Sequence, residues 1–63
     1  MSWKGYRYEY HLKTAGSAKE IDMVGNAYQA AGWIEVEIYP DKGPVKVIVF
    51  EWLNNSPPCH PIL

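Results

Sequence analysis

The sequence predicts a small α+β domain in which three strands form an antiparallel sheet and one helix covers one face of it. Three patterns predict this fold in the order β-α-β-β. Two segments alternate in polarity as half-buried strands do, one segment has apolar residues at helical spacing, and a last strand-like segment is apolar on both faces. With 63 residues the chain forms one domain. We assign residues 1–53 to this domain and residues 54–63 to a proline-rich C-terminal tail.

The first strand is predicted between Tyr6 and Lys13, where polarity alternates strictly. One face carries apolar residues, namely Tyr6, Tyr8, Tyr10 and Leu12. The other face carries Arg7, Glu9, His11 and Lys13. The segment Thr14-Ala15-Gly16 is expected to end this strand.

The helix is predicted from Ala18 to Ala31. Ser17 begins a capping-box pattern with Glu20, in which the serine hydroxyl accepts a hydrogen bond from the Glu20 backbone N–H. The apolar stripe that follows has helical spacing and consists of Ile21, Val24, Tyr28 and Ala31. Gly32 is the expected C-terminal cap, because glycine adopts positive φ freely.

Two further strands are predicted at Trp33–Tyr39 and Val45–Trp52, joined by a turn at 40–44 that is rich in Pro and Gly. Strict alternation in the second strand directs Ile34, Val36 and Ile38 towards the helix. The third strand is apolar on both faces and is therefore placed in the centre of the sheet. The helix reverses the chain direction, so the predicted order is 1-3-2 with antiparallel neighbours.

The sheet face opposite the helix is the predicted functional surface. We expect Val45, Val47 and Val49 to lie under the helix, which leaves Ile48, Phe50 and Trp52 exposed. An apolar, aromatic strip with a charged rim is typical of a protein interface. The candidate partner-binding residues are Arg7, Lys13, Trp33, Glu35, Glu37, Tyr39, Lys46, Ile48, Phe50 and Trp52.

Three occupants of that strip remain open. The tail could fold back across Phe50 and Trp52 through Ile62 and Leu63, the strip could be buried in a symmetric homodimer, or a foreign protein could bind it. If the strip is exposed, Phe50→Ala should leave the fold intact and weaken partner binding.

Candidate catalytic and metal-binding residues are few. Cys59 and His60 are adjacent, but a zinc site needs about four ligands at suitable spacing. Glu35 and Glu37 are expected on an open sheet face, whereas general acid–base catalysis favours a pocket that shifts their pKa values. We therefore expect no enzyme activity, no metal and no cofactor.

Charge and composition disfavour nucleic acid and membrane partners. Six basic and seven acidic residues give a formal net charge of −1, whereas nucleic-acid binders usually carry a basic surface. A single-stranded nucleic-acid binder with bases stacked on Trp33, Phe50 and Trp52 is the less favoured alternative. The sequence contains neither an apolar run of the roughly 20 residues that span a bilayer nor a secretory signal pattern. With one cysteine, a cytoplasmic location is expected.

The segment Ala31-Gly32-Trp33-Ile34-Glu35-Val36, placed between a helix and a hairpin, resembles the Gly-Trp-Glu-Leu-Val signature of an uncharacterised family of small bacterial β-α-β-β proteins. The resemblance spans roughly Tyr6 to Trp52 and implies a fold without an activity. Ile34 stands where that family has Glu, and Glu51 stands where it tends to be basic. In size, acidity and aromatic surface the chain is also similar in type to phage-encoded inhibitors of bacterial defence systems.

The function predicted from the sequence is a non-enzymatic protein-binding module that acts by steric occlusion, of which a phage-type inhibitor of a bacterial defence complex is the most concrete version. A homodimeric structural or regulatory protein is the main alternative.

Overall fold

A computed structural model describes residues 2–13, 17–39 and 44–63 of the chain. These ranges contain β1 (Arg7–His11), α1 (Ala18–Ala31), β2 (Trp33–Tyr39) and β3 (Val47–Trp52). The helix and the second strand have the predicted bounds, and the first and third strands are shorter than predicted. The predicted strand end at 14–16 and most of the predicted turn, residues 40–43, lie outside the described residues.

The sheet has the predicted topology. Its strand order is β1-β3-β2, and both neighbouring pairs are antiparallel. The strand that is apolar on both faces is therefore central, as predicted. The predicted β-α-β-β fold with sheet order 1-3-2 is confirmed.

The ends of α1 also follow the sequence. The Ser17 hydroxyl accepts from the Glu20 backbone N–H at 3.3 Å, and the Glu20 carboxylate accepts from the Lys13 backbone N–H at 3.0 Å. At the other end Gly32 has φ +113° and donates its N–H to Gln29 O. This left-handed conformation is inexpensive only for glycine. It turns the chain directly from α1 into β2.

The predicted register of β3 against the helix is wrong. Tyr8 pairs with Phe50 and Tyr10 pairs with Ile48, and directly opposite residues share a face. The face that points to α1, here called the inner face, therefore carries the tyrosines of β1 together with the large residues of β3. Its members are Tyr8, Tyr10, Trp33, Glu35, Ile38, Ile48, Phe50 and Trp52.

The valines of β3 lie on the opposite side of the sheet, here called the outer face. Val47 and Val49, predicted to lie under the helix, point away from it. The outer face consists of Arg7, Glu9, His11, Ile34, Glu37, Tyr39, Val47, Val49 and Glu51.

A β-bulge in β2 changes which of its residues face the helix. The register against β3 shifts between Glu35 and Glu37, so two residues of β2 occupy the space of one and the alternation of faces is interrupted. Trp33 and Glu35 lie on the inner face before the bulge, and Glu37 and Tyr39 lie on the outer face after it. The predicted outward orientation of Trp33 is therefore wrong, and Glu35 and Glu37 lie on opposite faces.

The core forms between α1 and the inner face. Its buried members are Val24, Tyr28, Trp33, Ile48, Phe50 and Trp52. Tyr28 stacks on Phe50 with ring centroids 4.4 Å apart, and Trp33 lies 5.0 Å from Trp52. Burying large aromatic side chains removes the most apolar area from water per residue. A short chain gains most by placing the larger set of β3 residues inside.

One of the open alternatives predicted that the C-terminal tail folds back across the face opposite the helix. The tail does fold back, but it lies against the inner face beside α1. The indole N–H of Trp52 donates to Ser56 O at 2.7 Å, and that of Trp33 donates to Cys59 O at 2.8 Å. The side chains expected to make the contact, Ile62 and Leu63, are instead exposed. The tail is held through its backbone carbonyls and the ring of His60.

Candidate functional site

The outer face contains a shallow groove of about 570 Å³ that runs over the central strand. Val49 lies at its base and is 5% exposed. Longer side chains from both edge strands rise on either side, because β3 contributes valines where β1 and β2 contribute longer residues. The groove, here called the outer groove, is lined by Arg7, Tyr8, Glu9, His11, Glu37, Tyr39 and Val49.

Tyr39 forms one wall of the outer groove. Its hydroxyl donates a hydrogen bond to the Glu37 carboxylate. That hydrogen bond and the negative charge of Glu37 raise the pKa of Tyr39, with a smaller contribution from Glu9 across the groove. The phenol is therefore neutral at physiological pH and presents an apolar ring, 45% exposed, beside two carboxylates.

The outer face is acidic. Its charged residues are Arg7, Glu9, Glu37 and Glu51, so three carboxylates accompany one guanidinium. Arg7 Nη2 lies 3.8 Å from Glu51 Oε2 in a largely solvent-exposed pair, and such pairs contribute little stability. The remaining carboxylates of Glu9 and Glu37 flank Tyr39 and give the groove a negative potential.

Four predicted partner-binding residues are in the core. Trp33 and Trp52 are 1% and 3% exposed, and Ile48 and Phe50 are 0% exposed. The expectation that these side chains form an exposed aromatic strip is wrong, because α1 and the tail cover them.

The other six predicted residues lie at the surface but not in one patch. Arg7, Glu37 and Tyr39 come together around the outer groove. Glu35 lies on the inner face, where its Oε1 is 3.7 Å from the position that a Cβ on Gly25 would occupy. Lys13 and Lys46 are exposed beyond the ends of β1 and β3.

Comparison with known proteins gives no relative for this chain. Neither a family model, nor a curated protein, nor a solved structure matches it.

Cys59 and His60 lie in the tail, and the described residues do not form a metal site around them. Within the described part of the chain, no group of three His, Cys, Asp or Glu side chains is close enough to hold a metal ion. The His60 ring instead packs on aromatic residues, 4.6 Å from Tyr8 and 5.2 Å from Trp33 between ring centroids. Among the described residues we also find no helix of the length and apolarity needed to cross a membrane.

Sequence reasoning missed Ile34, Val47, Val49 and Glu51 as members of the outer face. A signal for three of them was present. Glu51 has the same parity as Val47 and Val49, so the β3 face that carries these valines also carries a charge and is the less favourable one to bury. Ile34 was assigned to the other face because strict alternation does not reveal a bulge.

Proposed function

We propose that this chain is a non-enzymatic protein-binding module that docks a partner on the outer face of its sheet. The observation that carries the proposal is the outer groove, where an apolar base formed by Val49 is bordered by charged side chains and the ring of Tyr39. An apolar centre with a polar rim is the usual anatomy of a protein interface. Ile34 and Tyr39 add exposed apolar area on the same face.

The charge of the outer face favours a basic partner. Glu9 and Glu37 lie on opposite edge strands and both border the groove. A lysine or arginine side chain would lay its aliphatic part on Val49 and Tyr39 and place its charge between the two carboxylates. Complementary charge of this kind favours one partner over others and speeds association.

The same charge disfavours a second copy of the chain as the occupant. A twofold dimer brings the same patch of both subunits together. In such a dimer the three carboxylates and one guanidinium of one outer face would meet the same set on the other. Like charges across an interface are repulsive. Nucleic acid is disfavoured for the same reason, since it requires a basic surface.

The proposed mechanism is steric. A module of this size bound through a flat sheet face prevents other molecules from reaching the surface it covers, and its effect scales with its occupancy. Inhibition of a bacterial defence complex would be one use of such a module and stays a prediction.

A photo-crosslinking experiment tests the proposal. A benzophenone amino acid at Tyr39 should crosslink one protein in lysate of the source organism, saturably and in competition with unlabelled chain. The same amino acid at Gln29, an exposed position on α1, is the matched control and should not. Charge reversal by Glu9→Lys with Glu37→Lys should lower the Tyr39 crosslink at least tenfold, because it removes the acidic character of the groove.

A second charge-reversed variant tests whether the loss of crosslinking is specific to the outer face. Asp22→Lys with Glu35→Lys makes the same change in net charge at exposed positions outside the outer face and should crosslink like wild type. Equal crosslinking from Tyr39 and Gln29, or equal loss in both charge-reversed variants, would contradict the proposal. A dimer in light scattering at micromolar concentration that the outer-face reversal dissolves would show that the occupant is a second copy.

A further inference from the structure

The tail and the aromatic residues beneath it have the features of a proline-rich ligand in its groove. The two indole N–H groups of Trp52 and Trp33 donate to Ser56 O and Cys59 O at 2.7 and 2.8 Å. These carbonyls are three residues apart in the chain. A polyproline II helix repeats every three residues, so carbonyls at this spacing point in the same direction. Ser56 O lies at the bend that leads into the proline-rich segment and Cys59 O lies within that segment, so the two donors hold the start and the middle of the tail.

The burial of the tail prolines has the same period. Pro58 and Pro61 are half-buried. Pro57, which precedes them, and Cys59, which lies between them, are exposed. The spacing Pro58-Cys59-His60-Pro61 is the Pro-x-x-Pro pattern, in which both prolines lie on one side of the helix. One side of the tail therefore faces the domain and the other faces water.

The sequence restricts the tail to this conformation before it docks. Each proline has φ fixed near about −65°, and a residue that precedes proline is restricted to extended or polyproline II conformations. Ser56, Pro57 and His60 all precede a proline. Docking a segment that is already extended costs little conformational entropy.

The surface under the tail is built from aromatic rings. The His60 ring lies edge-on to Tyr8 with centroids 4.6 Å apart and is 5.2 Å from Trp33. The Tyr28 hydroxyl is 3.4 Å from His60 Nδ1. We call this surface the tail groove, formed by Tyr8, Tyr28, Trp33 and Trp52. Aromatic side chains combined with donors to backbone carbonyls are what grooves that bind proline-rich segments use.

We infer that the tail groove is a recognition site for a proline-rich, extended segment of a partner protein, and that the chain's own tail occupies it as an internal competitor. This site lies on the inner face and shares only Tyr8 with the outer groove of the proposed function. A tethered occupant is present at an effective concentration on the order of millimolar. A Pro-x-x-Pro segment of a partner binds only when it competes successfully with the tail.

Titration of the full-length chain with a peptide tests this inference. The probe has the sequence of residues 56–63 with serine in place of the cysteine, and the control peptide carries alanine in place of the prolines at the positions of Pro58 and Pro61. Indole N–H resonances of Trp33 and Trp52 report on the tail groove in ¹⁵N-labelled protein. Backbone amides of Glu9 and Glu37 report on the outer face.

The labelled protein is the variant Pro58→Ala with Pro61→Ala, whose tail lacks the two half-buried prolines. We expect the probe to shift both indole resonances saturably, with the outer-face amides unchanged and at least tenfold weaker binding of the control peptide. Wild-type chain should need at least tenfold more probe, because its own tail competes. If the double variant does not fold, His60→Ala, which removes the ring that packs on Tyr8 and Trp33 but no core side chain, is used with the same expectations.

Three results would overturn the inference. The first is a folded variant whose indole resonances do not shift at probe concentrations up to about millimolar. The second is a control peptide that binds as tightly as the probe. The third is a wild-type chain that binds the probe as tightly as the variant does. A wild-type dimer that the tail substitutions convert to a monomer would also overturn it, since the tail would then fill the groove of a second copy.

Discussion

Tyr28 of α1 stacks on Phe50 of β3, with ring centroids 4.4 Å apart and ring planes 6° from parallel. This contact fixes which side of the central strand the helix covers. Because Phe50 shares its face with Ile48 and Trp52, the stack places all three under α1, and Val47 and Val49 turn to the outer face. The register of the core and the composition of the outer groove both depend on it.

The burial of Phe50 predicts a large loss of stability for Phe50→Ala. The side chain is 0% exposed, and truncation of a buried phenylalanine costs about 3–5 kcal/mol. A domain of this length has roughly 3–9 kcal/mol in total. Urea denaturation followed by tryptophan fluorescence should therefore show a variant that is largely unfolded or has a much lower midpoint. Ile62→Ala, at a fully exposed tail position, is the control and should match wild type.

The fold was predictable because the signals for it are local. The serine cap, the apolar stripe of α1 and Gly32 define the helix, and the composition of β3 defines the centre of the sheet. These signals depend on residues within one element, and the structure reproduces them.

The face of β3 that packs on α1 was not predictable from β3 alone, since both of its faces are apolar. The choice depends on the volume that Tyr28 and Val24 leave to be filled, which Ile48, Phe50 and Trp52 fill better than valines do. The candidate site was misplaced for the same reason. The burial of Trp33 depends in addition on a bulge, and strict alternation contains no information about a bulge.

Gly32 and Gly5 provide a comparison between backbone strain and steric overlap. Both have positive φ, +113° and +91°, and a residue with a side chain in this region costs roughly 1–2 kcal/mol. A Cβ on Gly5 meets nothing within 4 Å, whereas one on Gly32 would lie 2.8 Å from Asn54 Nδ2 and 3.1 Å from the buried Trp52 ring. Gly32→Ala should therefore lower the free energy of unfolding more than Gly5→Ala does.

Chemical denaturation of the two alanine variants measures this difference. Adding Asn54→Ala to Gly32→Ala should recover only part of the loss, because Asn54 is exposed and can move but Trp52 cannot. Equal destabilisation by Gly5→Ala and Gly32→Ala would contradict the steric argument.

Gly25→Ala is expected to stabilise the protein. Gly25 lies inside α1, where glycine costs up to about 1 kcal/mol relative to alanine. A Cβ at this position meets only Glu35 Oε1 at 3.7 Å, an ordinary contact distance. The melting temperature of the variant should rise by several degrees, measured by far-ultraviolet circular dichroism. Ala30→Gly, the reverse change at an exposed position of the same helix, should lower it, and a fall for Gly25→Ala would show that the helix needs closer contact with β2.

The raised pKa of Tyr28 predicts that the protein loses stability at alkaline pH. Burial, followed by the neighbouring Tyr8 and Tyr10, raises the pKa of Tyr28 from 10.0 to about 12. Between these values the unfolded chain has released the phenol proton and the folded chain still holds it. The stabilisation is therefore complete below pH 10 and is lost as the pH rises towards 12, by up to about 1.4 kcal/mol per pH unit.

Urea midpoints measured from pH 8 to 11.5 check this sign. Tyr28→Phe keeps the stacked ring but removes the proton, so its stability should fall less steeply above pH 10 than that of wild type. Tyr28→Phe also loses the contact between the Tyr28 hydroxyl and His60 Nδ1. This loss should lower the stability of the variant equally at every pH in this range, without changing the slope. Tyr6→Phe, a change at an exposed tyrosine, should follow the wild-type slope. Parallel curves for wild type and Tyr28→Phe would show that the buried phenol does not control alkaline unfolding.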